Sequence, residues 1–231
     1  MAKPVLILGE RNSTSLLRKV CAKIVSIELR INMYSDDFPF DVDPILQFKK
    51  WHQDAITEGI HEPDAAVISG INKDNFPTSR FVLVRRVDEE GFMFFTNYQS
   101  DKAASFQNSP NVSLTFGWLP MERQVRILGT IEKASAKESD EYFASRPRGH
   151  QIGAWSSPQS KTINDRSVLV EQYEHYKNKF ADIEVPRPSH WGGYRVRPLT
   201  IEFWQGQRDR LHDRFRFVKG KEVWSVERLA P

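Results

Sequence analysis

Short apolar runs, many alternating with polar positions at a period of two, dominate the chain from residue 64 onward. Asp64 to Ile71, Thr78 to Val87 and Phe92 to Thr96 each predict a strand, with turns at Asn72-Lys-Asp-Asn75 and Asp88-Glu-Glu-Gly91. Val112 to Trp118 and Gln124 to Glu132 follow. In the second of these Val125, Ile127 and Gly129 face oppositely to Arg126, Leu128 and Thr130. Closing strands are expected at Tyr194 to Val196, Thr200 to Gln205, Leu211 to Val218 and Val223 to Arg228. Helical spacing interrupts this pattern. Asp43-Pro44 forms an N-cap and first helical residue for the stripe Ile45, Phe48, Trp51, Ala55, which ends near Gly59. Ser100 to Asn108 predicts a second helix, and the capping box Ser135-Ala-Lys-Glu138 opens a third that stops before Pro147. A fourth is expected over Asp165 to Phe180. Many short strands punctuated by helices imply a mainly β chain, a barrel with helical insertions, rather than alternating βαβ units.

Composition adjusts that picture in few places. A chain of 231 residues fits one β barrel, and 39% hydrophobic residues with 15 Phe and 6 Trp supply a sizeable core. The net charge of +3 is too small to indicate nucleic acid, so arginines matter here through clustering. The single cysteine, Cys21, cannot close an internal disulfide, which fits a reducing compartment. No apolar run approaches the roughly 20 residues of a membrane span. There is no Gly-rich phosphate loop and no Cys/His metal spacing, so no metal is expected. Residues 1 to 33 are basic and hydroxyl-rich, a composition shared by mitochondrial transit peptides and by leaders that lie outside a fold. The expected organisation is a leader and arm over 1–42 and one domain over 43–231. The protein is expected to be soluble and cytoplasmic, or mitochondrial if the leader targets it.

One stretch concentrates charge. If residues after the Gly206-to-Asp209 turn form a strand, Arg210, His212, Arg214 and Arg216 share one face while Leu211, Phe215 and Phe217 share the other. Such a row is either an edge strand blunted by charge or an anion site. Trp204 just upstream offers an aromatic wall for the second reading. On the strand from Thr78, Arg80, Val82, Val84 and Arg86 share one face, and Phe81, Leu83 and Arg85 the other. Arginines on both sides of a largely buried strand call for anions nearby.

Glu202-Phe-Trp-Gln-Gly206, Arg210-Leu-His-Asp-Arg214 and Glu227-Arg-Leu-Ala-Pro231 resemble the C-terminal signature of the pyridoxamine (pyridoxine) 5′-phosphate oxidase family. Further motifs are similar to that family's. They are the Arg80-to-Arg85 strand, Phe95-Thr-Asn97 with Ser100-Asp-Lys102, Glu122-Arg-Gln-Val-Arg126, Tyr142-Phe-Ala-Ser-Arg-Pro-Arg148, Ile152-Gly-Ala-Trp155 and Gln159-Ser160. Trp191-Gly-Gly-Tyr194 also follows the family and reads as structural.

The resemblance implies an FMN-binding split β-barrel, homodimeric, with FMN at the subunit interface. It implies oxidation of pyridoxamine or pyridoxine 5′-phosphate to pyridoxal 5′-phosphate with O2 as final acceptor and H2O2 released, and no nucleic-acid or membrane partner. Flavin contacts would come from Arg80, Phe81, Val82, Leu83, Phe95, Thr96, Lys102, Gln124, Gln159, Ser160, Trp204 and Arg214. Substrate contacts would come from Arg85, Tyr142, Arg146, His150, Arg210 and His212, the last two nearest the chemistry. Three positions depart from the family pattern: Arg85 replaces a Lys, Asp101 replaces a cation and His150 replaces a Ser. They motivate an alternative, a weakly catalytic relative that binds pyridoxal phosphate or a flavin.

Overall fold

The computed structural model describes residues 43–221 and 223–231; the expectations for the leader and arm lie outside these residues. Helix α1 (Pro44–Thr57) starts as its sequence dictates, with the Asp43 carboxylate accepting the Ile45 N–H at 2.7 Å. Its buried stripe enters the core, where the Phe48 ring meets Phe92 and Phe116 edge-on at 4.9 and 4.8 Å. Strands β1 (Ala65–Ile71), β2 (Pro77–Asp88) and β3 (Gly91–Asn97) form a meander. Helix α2 (Asp101–Asn108) leads to β4 (Asn111–Trp118) and β5 (Arg123–Lys133). Three helices then intervene: α3 (Ala136–Ser145), α4 (Arg148–Ser156) and α5 (Ser167–Lys179). The chain ends in β6 (Trp191–Gln205), β7 (Asp213–Lys219) and β8 (Trp224–Leu229).

The eight strands of the described residues form one sheet in the order β3-β2-β1-β4-β5-β6-β7-β8, and every pairing is antiparallel. Because β3 also pairs with β6, six strands close into a barrel and the β7–β8 hairpin extends beyond it. The core is the barrel interior, filled by residues such as Ile68, Phe94, Leu114, Ile127 and Phe203.

Four expectations need correction. The two strands expected on either side of Pro198 are one 15-residue strand, β6. Pro198 faces Gly129 at a register shift, so the missing N–H falls where the ladder is already interrupted. Helix α4 was not foreseen, because Gly149 and Gly153 weaken its periodicity and propensity. Strand β2 is not largely buried: only Val84 is, and Phe81 is 75% exposed. Residues Pro77 to Leu83 pair with β1 on one side, whereas β3 joins only from Val84 onward, with a register shift before Arg86 that breaks the expected alternation. The barrel is therefore split beside Arg80–Leu83. Finally, β7 begins at Asp213, after a 3₁₀ turn over Arg208–Arg210 with Asp209 and Arg210 at φ 55° and 62°. Arg210 and His212 thus do not share a strand face with Arg214 and Arg216, and Leu211 is 71% exposed. Phe215 and Phe217 are buried as expected.

Candidate flavin and phosphate site

The end of β3 and the start of α2 build a first cationic seat. Ser100 precedes α2 but does not cap it; its hydroxyl donates to the Asn97 carbonyl at 2.7 Å. Lys102 Nζ donates to Thr96 Oγ1 at 3.0 Å, Gln159 Oε1 at 2.9 Å and Ser100 Oγ at 3.3 Å. Every one of those acceptors is neutral. Burial, reinforced by repulsion from Arg80 and opposed by Asp101, pushes the lysine pKa down to about 8. Ser160, at φ 69°, accepts the Asp101 N–H at 3.3 Å, so the 159–160 segment lies against the helix start. Asp101 itself is exposed and its carboxylate joins no ion pair among the described residues. Two cations that form no ion pair among the described residues, beside a helix N-terminus whose Asp101 carboxylate is exposed, make a seat for an anion such as a phosphomonoester. The open edge of β2 lies on this side of the barrel, bearing Arg80, whose Nη1 donates to the Thr78 carbonyl at 3.2 Å.

A second seat adjoins it. A cavity of about 410 Å³ is lined by Asn97, Arg146, His150, Gln159 and Trp191 among others. Arg146 closes the C-terminal end of α3 and lies 4.6 Å over the Trp191 ring. Its Nη1 is buried without a hydrogen-bond partner, and desolvation lowers its pKa. Tyr142 stacks on Phe95 at 3.9 Å, and Phe95 lies 5.7 Å from Trp191, so the three rings form a wall. Arg148, by contrast, is spent on the Phe180 and Ile183 carbonyls at the end of α5. Gln159 lines the cavity and accepts from Lys102, which makes the two seats neighbours.

Sequence reading missed Asn97 as a cavity residue and took Trp191 as structural. The available signal was the pair Gly192-Gly193. A side chain at Gly193 would crowd Ala134 and Phe95, at 2.8 and 3.0 Å, so the pair packs tightly behind the aromatic wall.

A third group stands elsewhere. Gln124, Trp204 and Arg214 are cross-strand partners on β5, β6 and β7. The Trp204 and His212 rings lie 4.6 Å apart. Arg214 is held by Glu202 Oε1 at 3.0 and 2.8 Å and by the Ala230 carbonyl at 2.9 Å. Glu202, only 4% exposed, also meets Arg126 at 3.2 Å; sequence reading passed it over. Arg210 is exposed, and Arg85 is bound by Asp64 at 2.8 Å and does not line the cavity. Thr96 pairs with Gly192, and Trp204 lies twelve positions (192 to 204) further along β6. That is roughly 40 Å of strand path. One chain thus carries the sequence-derived residues in two separated groups, with Arg85 outside both. No cluster of three or more His, Cys, Asp or Glu side chains suited to a metal is present among the described residues, and no helix among them is long and apolar enough to cross a membrane.

A closed six-stranded barrel, split at one edge and lined there by cations that form no ion pair among the described residues, defines the split-barrel flavoprotein class. The model of the family described as pyridoxamine 5′-phosphate oxidase matches residues 52–180, and that of the pyridoxine 5′-phosphate oxidase C-terminal dimerisation region matches 191–231. The chain is 50% identical over 192 residues to a pyridoxine/pyridoxamine 5′-phosphate oxidase of Aliarcobacter butzleri, covering 83% of this chain and 91% of that protein. It is 49% identical over 190 residues to one of Hahella chejuensis, covering 82% and 90%. Among solved structures, PhzG from Burkholderia lata 383, in complex with tetrahydrophenazine-1-carboxylic acid, superimposes with a TM-score of 0.79 at 27% identity, over 85% of this chain and 95% of that one. The chain belongs to the pyridoxamine 5′-phosphate oxidase family of FMN-dependent oxidoreductases, and its cofactor is FMN.

Proposed function

We propose that this chain oxidises the C4′ alcohol or amine of pyridoxine or pyridoxamine 5′-phosphate to the aldehyde pyridoxal 5′-phosphate. O2 is reduced to H2O2, and the amine route also consumes water and releases ammonia. The observation that carries this reading is the pair of adjoining seats, Lys102 with Arg80 and Arg146 with His150, in which no cation is ion-paired to a carboxylate among the described residues. One suits the phosphate of FMN and the other that of the vitamin B6 ester. FMN, when bound, supplies the two-electron acceptor. The protein's residues hold two phosphates and orient C4′ towards the flavin ring.

In this reading Arg80, the backbone edge of Phe81, Val82 and Leu83, Thr96, Lys102, Gln159 and Ser160 hold FMN from one subunit, with Phe95 behind them. Gln124, Trp204 and Arg214 approach from a second copy, and Arg210 and His212 bring that copy to the substrate seated at Tyr142, Arg146 and His150. The long strand path between Thr96 and Trp204 supports a homodimer site, since one flavin does not bridge it within a chain. The purified protein, given FMN and pyridoxamine 5′-phosphate, should form pyridoxal 5′-phosphate and peroxide in equal amounts; an FMN-loaded protein that turns over neither ester refutes the reaction. Lys102→Ala and Trp204→Ala variants, each impaired alone, should regain activity as a mixed dimer, and failure to do so argues that both groups serve one copy.

A further inference from the structure

We infer that His212 acts as a hydrogen-bond donor through Nε2 and not as a proton acceptor, because the backbone N–H of Gln207 occupies its Nδ1 lone pair. This rests on the reading that His212 meets substrate. The Gln207 N–H reaches Nδ1 at 3.1 Å. A neutral imidazole has one N–H and one lone pair, so an N–H aimed at Nδ1 requires the ring proton to sit on Nε2. A proton on Nδ1 would set two donors head to head.

The loop that delivers this N–H is tied down along its length. The Gly206 N–H donates to the Glu122 carbonyl at 2.7 Å, in a place where a side chain would strike Glu122. The Leu211 N–H donates to the Arg208 carbonyl at 3.1 Å, and the left-handed Asp209 and Arg210 reverse the chain between them. The Gln207 amide donates to Asp213 at 2.7 Å, just beyond the histidine. Trp204 lies against the ring at 4.6 Å. Gln207 is thus a positioning residue acting through its backbone, and His212 presents an Nε2–H to an acceptor atom of the substrate. His212 keeps its own proton and takes none from the C4′ substituent.

Ring-¹⁵N-labelled full-length protein, with and without FMN, gives the direct test by two-bond proton–nitrogen correlations, with His212 assigned by its disappearance in His212→Gln. The Nε2–H pattern at neutral pH is expected; an Nδ1–H or doubly protonated ring overturns the inference. This readout stands even if the protein proves unable to oxidise either ester. With an active enzyme, His212→Gln, whose amide nitrogen can replace Nε2–H, should keep kcat/KM roughly tenfold above His212→Asn, which mimics Nδ1. Equal losses in both variants overturn the donor role.

Discussion

Arg195 and Arg146 are both drawn out of water, and the protein treats them oppositely. Arg195 on β6 is 3% exposed and meets Asp88, Glu138 and Glu90. Burial works against its charge, but hydrogen bonds and attraction to Asp88 and Glu138 outweigh that, and its pKa is held above the usual value. Arg146 has no carboxylate partner among the described residues, one orphaned nitrogen and a pKa lowered by desolvation. A buried cation surrounded by carboxylates contributes to the fold. One left without them is disfavoured until an anion arrives, and that difference separates scaffold from site more sharply than burial or residue type.

The widest gap should appear in stability. Arg195→Met takes from Asp88 and Glu138, whose side chains are 27% and 23% exposed, their most deeply buried cation, and leaves them Arg86 and, for Glu138, Ser135. It should cost about 2–3 kcal/mol in urea unfolding, less than the loss at a fully buried pair. Acid should report the same network. The Ser135 hydroxyl, and after it the Ser135 N–H and Arg195, hold the Glu138 pKa down to about 2 from 4.5. A depressed carboxylate stabilises above its unfolded pKa and loses that contribution as pH falls. Unfolding free energy should therefore decline between pH 4.5 and about 2, and less so in Glu138→Gln.

Arg146→Met should do the reverse. Stability should hold within about 0.5 kcal/mol or improve, while KM for the phosphate ester rises roughly 10–100-fold. A loss of stability matching that of Arg195→Met would erase the contrast. Lys102 offers a pH test at the other seat. Its pKa in the flavin-free protein is lowered from 10.5 to about 8, so it loses charge as pH rises through 8. Flavin titrations should show the FMN Kd rising up to about tenfold above that pH, with a proton taken up on binding. A Kd flat from pH 7 to pH 10 would remove Lys102 from the phosphate. The smallest effect is expected at Asp101. Because its carboxylate is exposed and screened, Asp101→Arg should tighten FMN only about threefold.

Much of the barrel was legible because strand alternation and helix caps are local. Asp43-Pro44 and Ser135-to-Glu138 cap their helices as the sequence implies, the capping box with both reciprocal hydrogen bonds formed. Motifs also named Lys102, Arg146 and Gln159, which the fold brings into adjoining seats. What escaped depended on partners distant in sequence. Glu202 looks like any strand carboxylate until Arg126 and Arg214 arrive from β5 and β7. Pro198 looks like a strand end until the register with β5 leaves Leu199 as the extra residue of a bulge and Gly129 lets the backbone beside Pro198 approach. Arg85 looks like a site cation until Asp64 claims it.

The sequence by itself determined most of the element types, which segments concentrate cations, and the family, since periodicity, capping and motif spacing are properties of neighbouring residues. Only the tertiary structure decided which cations remain without a carboxylate, where the barrel splits and which nitrogen of His212 faces the Gln207 N–H. Each of those depends on a group from another strand or loop filling, or failing to fill, a hydrogen-bonding position, and residue order alone does not specify that.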